Sequence, residues 1–181
     1  MTEQELQKLK YPIGKFDCPN PILPQYIESW ISILEHFPNR LENLVENLSD
    51  DQLNTPYRPE GWTVRQTIHH LADSHLQSYA RFKWALTEDK PIIKAYDEEK
   101  WAELFDSKTA PVAMSLFQLR GIHLKWVYLL KGLNENDLNK SFIHPATQNE
   151  VFLKHSIGMY AWHSNHHYAH IEQVMKRNNW L

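Results

Sequence analysis

Apolar residues recur at steps of three and four through four long stretches of the chain, the spacing that lines side chains along one face of an α-helix. The first stretch runs through Ile27, Trp30, Ile31, Leu34, Phe37, Leu41, Leu44, Val45 and Leu48. Pro38 falls inside it and predicts a kink, because proline has no N–H for the carbonyl four residues back. A second helix is predicted from Val64 to about Thr87, opened by Thr63 and Gln66 at capping-box spacing. Val112, Leu116, Leu119, His123, Trp126, Leu130 and Leu133 mark a third, from about Pro111 to Lys131, slightly weakened by Gly121. Leu153, Ile157, Tyr160, His167, Ile171 and Val174 mark a fourth, reaching about Arg177.

The connections carry their own signals. Four of the ten prolines lie between Tyr11 and Pro24, so this segment is expected to run extended over the surface as an arm. Ser49 and Gln52 cap a short helical turn. The polar stretch Glu88 to Ser107 reads as a long connection with a short helix near Glu98 to Leu104, able to wall a pocket. Phe142 to His144 and Val151 to Phe152, separated by Pro145 to Asn149, predict a small hairpin. Four long amphipathic helices in 181 residues make one all-α domain over 1–181, a four-helix bundle with an extended N-terminal arm and a small connecting hairpin.

Composition narrows the function. Only 5 glycines are present, far fewer than the turns of a sheet protein require. Net charge is −3 with Lys and Arg scattered, which excludes an electrostatic footprint for nucleic acid. Cys18 is the only cysteine, so an intrachain disulfide and a four-cysteine zinc site are both excluded, and a reducing cytoplasm fits. No apolar run has signal-peptide character or approaches the ~20 residues of a membrane span, so a cytoplasmic protein without membrane association is expected. The 11 histidines are too many to pass over.

Four of them, His163, His166, His167 and His170, lie within eight residues of the fourth helix. On a helix, residues four apart are neighbours, so His163 with His167, or His166 with His170, can grip one ion. At about 100° per residue, His163, His167 and His170 fall within an arc of about 60° beside the apolar stripe, while His166 points further out. A lone helical histidine is ordinarily packed or solvated. Several inward imidazoles each need a partner for a buried nitrogen, and a divalent cation supplies one to all of them. The His-Glu-x-x-His pattern of zinc proteases is absent. For a third ligand the second helix offers His69, His70 and His75. His75 sits in the stripe of Val64, Leu71, Tyr79 and Phe82 and reads as a core residue. His70 shares a polar line with Thr67, Ser74, Ser78 and Arg81, which faces either a wet cavity or solvent; helical angles do not choose.

Two stretches, Gly61-Trp62-Thr63-Val64-Arg65-Gln66-Thr67-Ile68-His69-His70-Leu71-Ala72-Asp73-Ser74 and Trp162-His163 through His167-Tyr168-Ala169-His170-Ile171, resemble the second-helix and last-helix signatures of the DinB/YfiT-like family of metal-binding four-helix bundles. Ala95-Tyr96-Asp97 and His144-Pro145 extend the resemblance, which covers about Tyr26 to Lys176. It implies His70, His163 and His167 as ligands of one nickel or zinc ion per subunit, with water completing the shell, and a homodimer, for which 7 tryptophans offer apolar surface. It also implies a metal-dependent hydrolase acting on a small molecule. Related bundles are thiol transferases that join bacillithiol-type thiols to electrophiles, and a non-enzymatic metal-binding stress protein is the third possibility. By spacing, Asp73 and His170 each stand one turn past a ligand, as acid–base groups or as partners that orient the ligand imidazoles. Arg81 is placed to pair with a substrate carboxylate, and Tyr160 to line the pocket.

Overall fold

The computed structural model describes residues 2–181. Thr2, with Glu5 at the third position, forms a capping box that opens α1 (Glu3–Lys10), a helix the proline-rich arm did not announce. The first long helix, α2 (Pro24–Val45), begins at a proline in its first turn, where a missing N–H costs nothing. It runs on through Pro38, which is buried. The turn α3 (Asp50–Leu53) and the long helix α4 (Val64–Thr87) start at the capping boxes of Ser49 and Thr63. The connection after α4 holds two short helices rather than one, α5 (Glu98–Ala102) and α6 (Phe105–Thr109). Then come α7 (Val112–Lys131), a turn α8 (Glu135–Leu138), the hairpin strands β1 (Ser141–His144) and β2 (Asn149–Phe152), and α9 (Leu153–Arg177).

The close helix packings are α2 on α7, α7 on α4, α4 on α9 and α9 on α2. The ring order is therefore α2, α7, α4, α9, and α2 stands diagonally opposite α4, as α7 does opposite α9. Such crossed connections need the long segments that separate these helices in sequence. β1 pairs antiparallel with β2, and Ile143 also exchanges backbone hydrogen bonds with the segment after α4: its N–H donates to the Pro91 carbonyl at 2.9 Å and its carbonyl accepts from Ile93 at 3.1 Å. The α4–α5 connection is thus fixed to the hairpin, which brings Tyr96 and His144 to one wall of a cavity.

Two apolar clusters fill the bundle. Ile31, Leu34, Phe82, Trp126 and Ile157 belong to one, and Phe37, Leu41, Ile68, Leu71 and Ile171 to the other. His75 lies between them, against Phe37 of one cluster at 5.8 Å and Trp126 of the other at 6.1 Å between ring centroids. A polar layer therefore crosses the core, and its hydrogen bonds must be made internally. Among the described residues no helix is long and apolar enough to cross a membrane.

Candidate metal centre

Pro38 sets the first constraint. Without an N–H, it leaves the carbonyl of Leu34, four residues back, without its helical donor. His123 of α7 supplies the missing bond: Nδ1–H donates to Leu34 O at 2.6 Å. A carbonyl only accepts, so this nitrogen carries the proton, and burial holds His123 neutral by pushing its pKa down to about 4. Its Nε2 is then a bare acceptor for His75 Nδ1–H at 2.7 Å. His75, also kept neutral by burial, accepts at Nε2 from His163 Nδ1–H at 3.1 Å. The chain of donors ends with Nε2 of His163 unprotonated and directed at Nε2 of His70, 3.3 Å away.

A second relay serves the neighbouring imidazole. The Lys10 carbonyl at the end of α1 accepts from His170 Nε2–H at 3.2 Å, so His170 Nδ1 is bare and accepts from His167 Nδ1–H at 3.3 Å. Nε2 of His167 is left with its lone pair free. Two of three candidate ligands are thus set in the tautomer that presents Nε2, each through imidazoles ending on a backbone carbonyl.

One ligand atom each from His70, His163 and His167 lie within 4.8 Å of one another. Two nitrogens ~2.1 Å from one tetrahedral ion stand about 3.4 Å apart, close to the His70–His163 separation. Burial keeps all three neutral, the form in which imidazole binds a cation: His70 is held down to about 4, and His163 and His167 lie well below the ordinary histidine range. These donors fit a borderline divalent ion such as zinc or nickel. Trp62 covers His70, with ring centroids 4.6 Å apart. The three histidines line a cavity of about 1080 Å³, with Arg81, Tyr96, His144 and Tyr160 further along its wall.

The polar line that helical angles left open, Thr67, His70, Ser74, Ser78 and Arg81, is buried throughout. His69 turns the other way, bonded to Ser115 Oγ at 2.7 Å and the Ala110 carbonyl at 3.2 Å. His166 does not point out to solvent as its angle suggested. The arm folds back over α9, where Tyr11 packs on His166 and Trp162 Nε1–H donates to the Gly14 carbonyl at 3.2 Å. His166, His167 and His170 form a second set of nitrogens within the same 4.8 Å limit, but two of these three already serve the relay that ends on Lys10. Tyr160 lines the cavity as expected, its ring 5.5 Å from that of His163. Asp73 is half-buried, is not among the cavity's lining residues and makes no hydrogen bond to His70. Burial, then the nearby Asp106, raises its carboxyl to about 6. Sequence reasoning took His75 and His123 for packing residues and missed the Leu34 and Lys10 carbonyls altogether.

The model of the DinB superfamily matches residues 33–171, and the chain belongs to that superfamily. A relative from Bacillus cereus (strain 03BB102) is 52% identical over 175 residues, covering 97% of this chain and 100% of its own length. One from Bacillus thuringiensis subsp. konkukian matches equally well, and both are provisionally named metal-dependent hydrolases. Among solved structures, YfiT from Bacillus subtilis superposes with a TM-score of 0.94 at 46% identity, over 96% of this chain and 99% of YfiT. YfiT is described with an unusual four-helix bundle topology and provisionally assigned to the same class.

Proposed function

We propose that this protein is a metal-dependent hydrolase of a small molecule, with one divalent ion held by Nε2 of His70, His163 and His167. The observation that carries the reading is the pair of imidazole relays, which present two ligand nitrogens deprotonated before any ion arrives. The names of the relatives support the reaction class. A divalent ion held by these three histidines would supply Lewis-acid chemistry, polarising a scissile carbonyl or phosphoryl group and lowering the pKa of a water.

The protein's own part is orientation. His75 and His123 hold the ring of His163, and His170 holds that of His167. Since His170 Nδ1 is occupied by the His167 bond and Nε2–H by Lys10, His170 serves here as a positioning residue and not as a proton-transfer group. Asp73, outside the cavity lining, has no part in the proposed step.

Elemental analysis of protein never passed over a metal-affinity column should find one nickel or zinc per chain. Esters, amides and phosphoesters are then offered to the metal-loaded protein, in parallel with a thiol plus an electrophile. Hydrolysis that disappears with the metal is the expected result; thioether formation without hydrolysis would replace hydrolysis by thiol transfer. His70→Ala, His163→Ala and His167→Ala should each lower metal affinity by more than the ~10–100-fold typical of losing an orienting partner. His69→Ala should leave metal content intact. Retention of metal by any of the three variants would reject this ligand set.

A further inference from the structure

Arg81 is 9% exposed, yet no carboxylate lies within ion-pair distance of it among the described residues. Its hydrogen bonding is equally sparse. NH1 reaches the Tyr160 hydroxyl at 3.5 Å, and the buried Nε has no partner. Arginine cannot shed its charge on burial as lysine does, so a guanidinium this buried and without a counter-charge is costly to keep. Folds retain such a group where something else pairs with it. The neighbourhood repeats the pattern: Ser78 Oγ, one turn earlier on the same face of α4, is fully buried without a partner, as is His144 Nδ1 on β1, whose pKa burial lowers first and the nearby Arg81 charge lowers further. Three of the five buried side-chain polar atoms left without partners among the described residues therefore cluster around Arg81.

Arg81 and His144, though not Ser78, face the cavity that holds the three histidines. Arg81, His144 and Tyr160 all line it, and the Tyr160 ring separates the guanidinium from His163. We infer that Arg81, with His144 beside it on the cavity wall, is a subsite for an anionic group of the substrate, a carboxylate being the planar match to the guanidinium fork. The inference rests on the reading of the histidine site only for what lies at the substrate's other end. A molecule with a carboxylate at one end and its reacting group at the other spans the Tyr160 ring. The planar fork distinguishes it from a neutral molecule of the same shape by charge-assisted hydrogen bonds.

Two measurements decide the matter. In the first, metal-free protein is modified with phenylglyoxal and the reaction at Arg81 is followed by peptide mapping, with glutarate or its diamide present. Protection by glutarate and not by the diamide is expected; equal or no protection overturns the subsite, whatever the histidines do. In the second, metal-loaded protein is titrated with ω-mercapto acids of graded chain length and with their amides. At the best length the acid should bind about 10–100-fold more tightly than the amide, the range of a charge-assisted hydrogen bond. Arg81→Gln should abolish that preference. Arg81→Lys, which keeps the charge should the first variant fail to fold, should retain part of it. A preference that survives Arg81→Gln overturns the inference. If glutarate protects Arg81 while metal gives the thiols no advantage, the anion subsite stands and the metal reading falls.

Discussion

At the scale of single residues, one missing N–H has consequences two helices away. Pro38 leaves the Leu34 carbonyl to His123, and the resulting tautomer passes through His75 to His163. His123→Leu keeps the volume and removes both ends of its bonds. Metal affinity should fall about 10–100-fold with all three proposed ligands untouched, measured by competition with a chromophoric chelator. Unchanged affinity would mean that His163 finds its tautomer without help. The same buried imidazoles make the metal-free protein acid-sensitive. His123 and His70 take up protons near pH 6.5 when unfolded but only near about 4 when folded. From pH 6.5 down to about 4 the unfolded state binds more protons, so stability falls with falling pH, and above 6.5 these groups contribute no pH dependence. Each is worth about 3 kcal/mol across that window, and together they rival the ~5–15 kcal/mol stability of an ordinary domain. Chelator-treated protein should therefore unfold between pH 6.5 and 4, as monitored by far-ultraviolet circular dichroism. A midpoint below 4 would contradict the neutral relays.

At the scale of elements, the close approach of α9 to α2 turns on a single glycine. Gly158 of α9 faces Trp30 of α2, and a Cβ added at Gly158 would stand 2.8 Å from the indole. That indole is held by Tyr26 and Phe16, at 6.1 and 6.5 Å between ring centroids, so it cannot simply swing away. Gly158→Ala gains about 1 kcal/mol of helix propensity and meets an overpacking cost of ~1–3 kcal/mol. The steric cost should win, with a net loss of about 1 kcal/mol in urea denaturation. A stabilised variant would show that the two helices separate freely. Element boundaries were largely legible beforehand: the capping boxes at Ser49 and Thr63 and the periodicity of α4, α7 and α9 place those helices to within a residue or two. The short helices α1, α6 and α8 escaped because four to eight residues are too few to show a period.

At the scale of the whole molecule, one face of α7 has no partner among the described residues. Met114, Phe117, Leu124 and Tyr128 follow one another at helical spacing and are exposed, Phe117 by 81% and Tyr128 by 85%, with Gly121 in open space between them. We propose that two copies meet along this stripe, since an isolated monomer rarely leaves such a row of large apolar side chains in water. Sedimentation at micromolar concentration should find twice the 21.5 kDa chain mass, and Phe117→Glu with Tyr128→Glu should reduce it to the monomer. A wild-type monomer, or a dimer indifferent to both changes, would remove this face from consideration.

The four-helix pattern, the i, i+4 pair His163 and His167, and the polar line through His70 and Arg81 could all be read from the sequence, because each is a property of one helix and its period. Whether that polar line met water or a cavity was not, since burial depends on what packs against it. The same holds for His166, which the arm covers, and for His75 and His123, which look like core residues until Leu34 and His163 are seen at either end of their hydrogen bonds. A tautomer is set by the partner across the gap, and here those partners lie 88 positions apart for His75 and His163, and 160 for Lys10 and His170. Local periodicity carries no information over such distances; the packing of α4 on α9 brings His75 to His163, and the placement of the N-terminal segment against α9 brings Lys10 to His170.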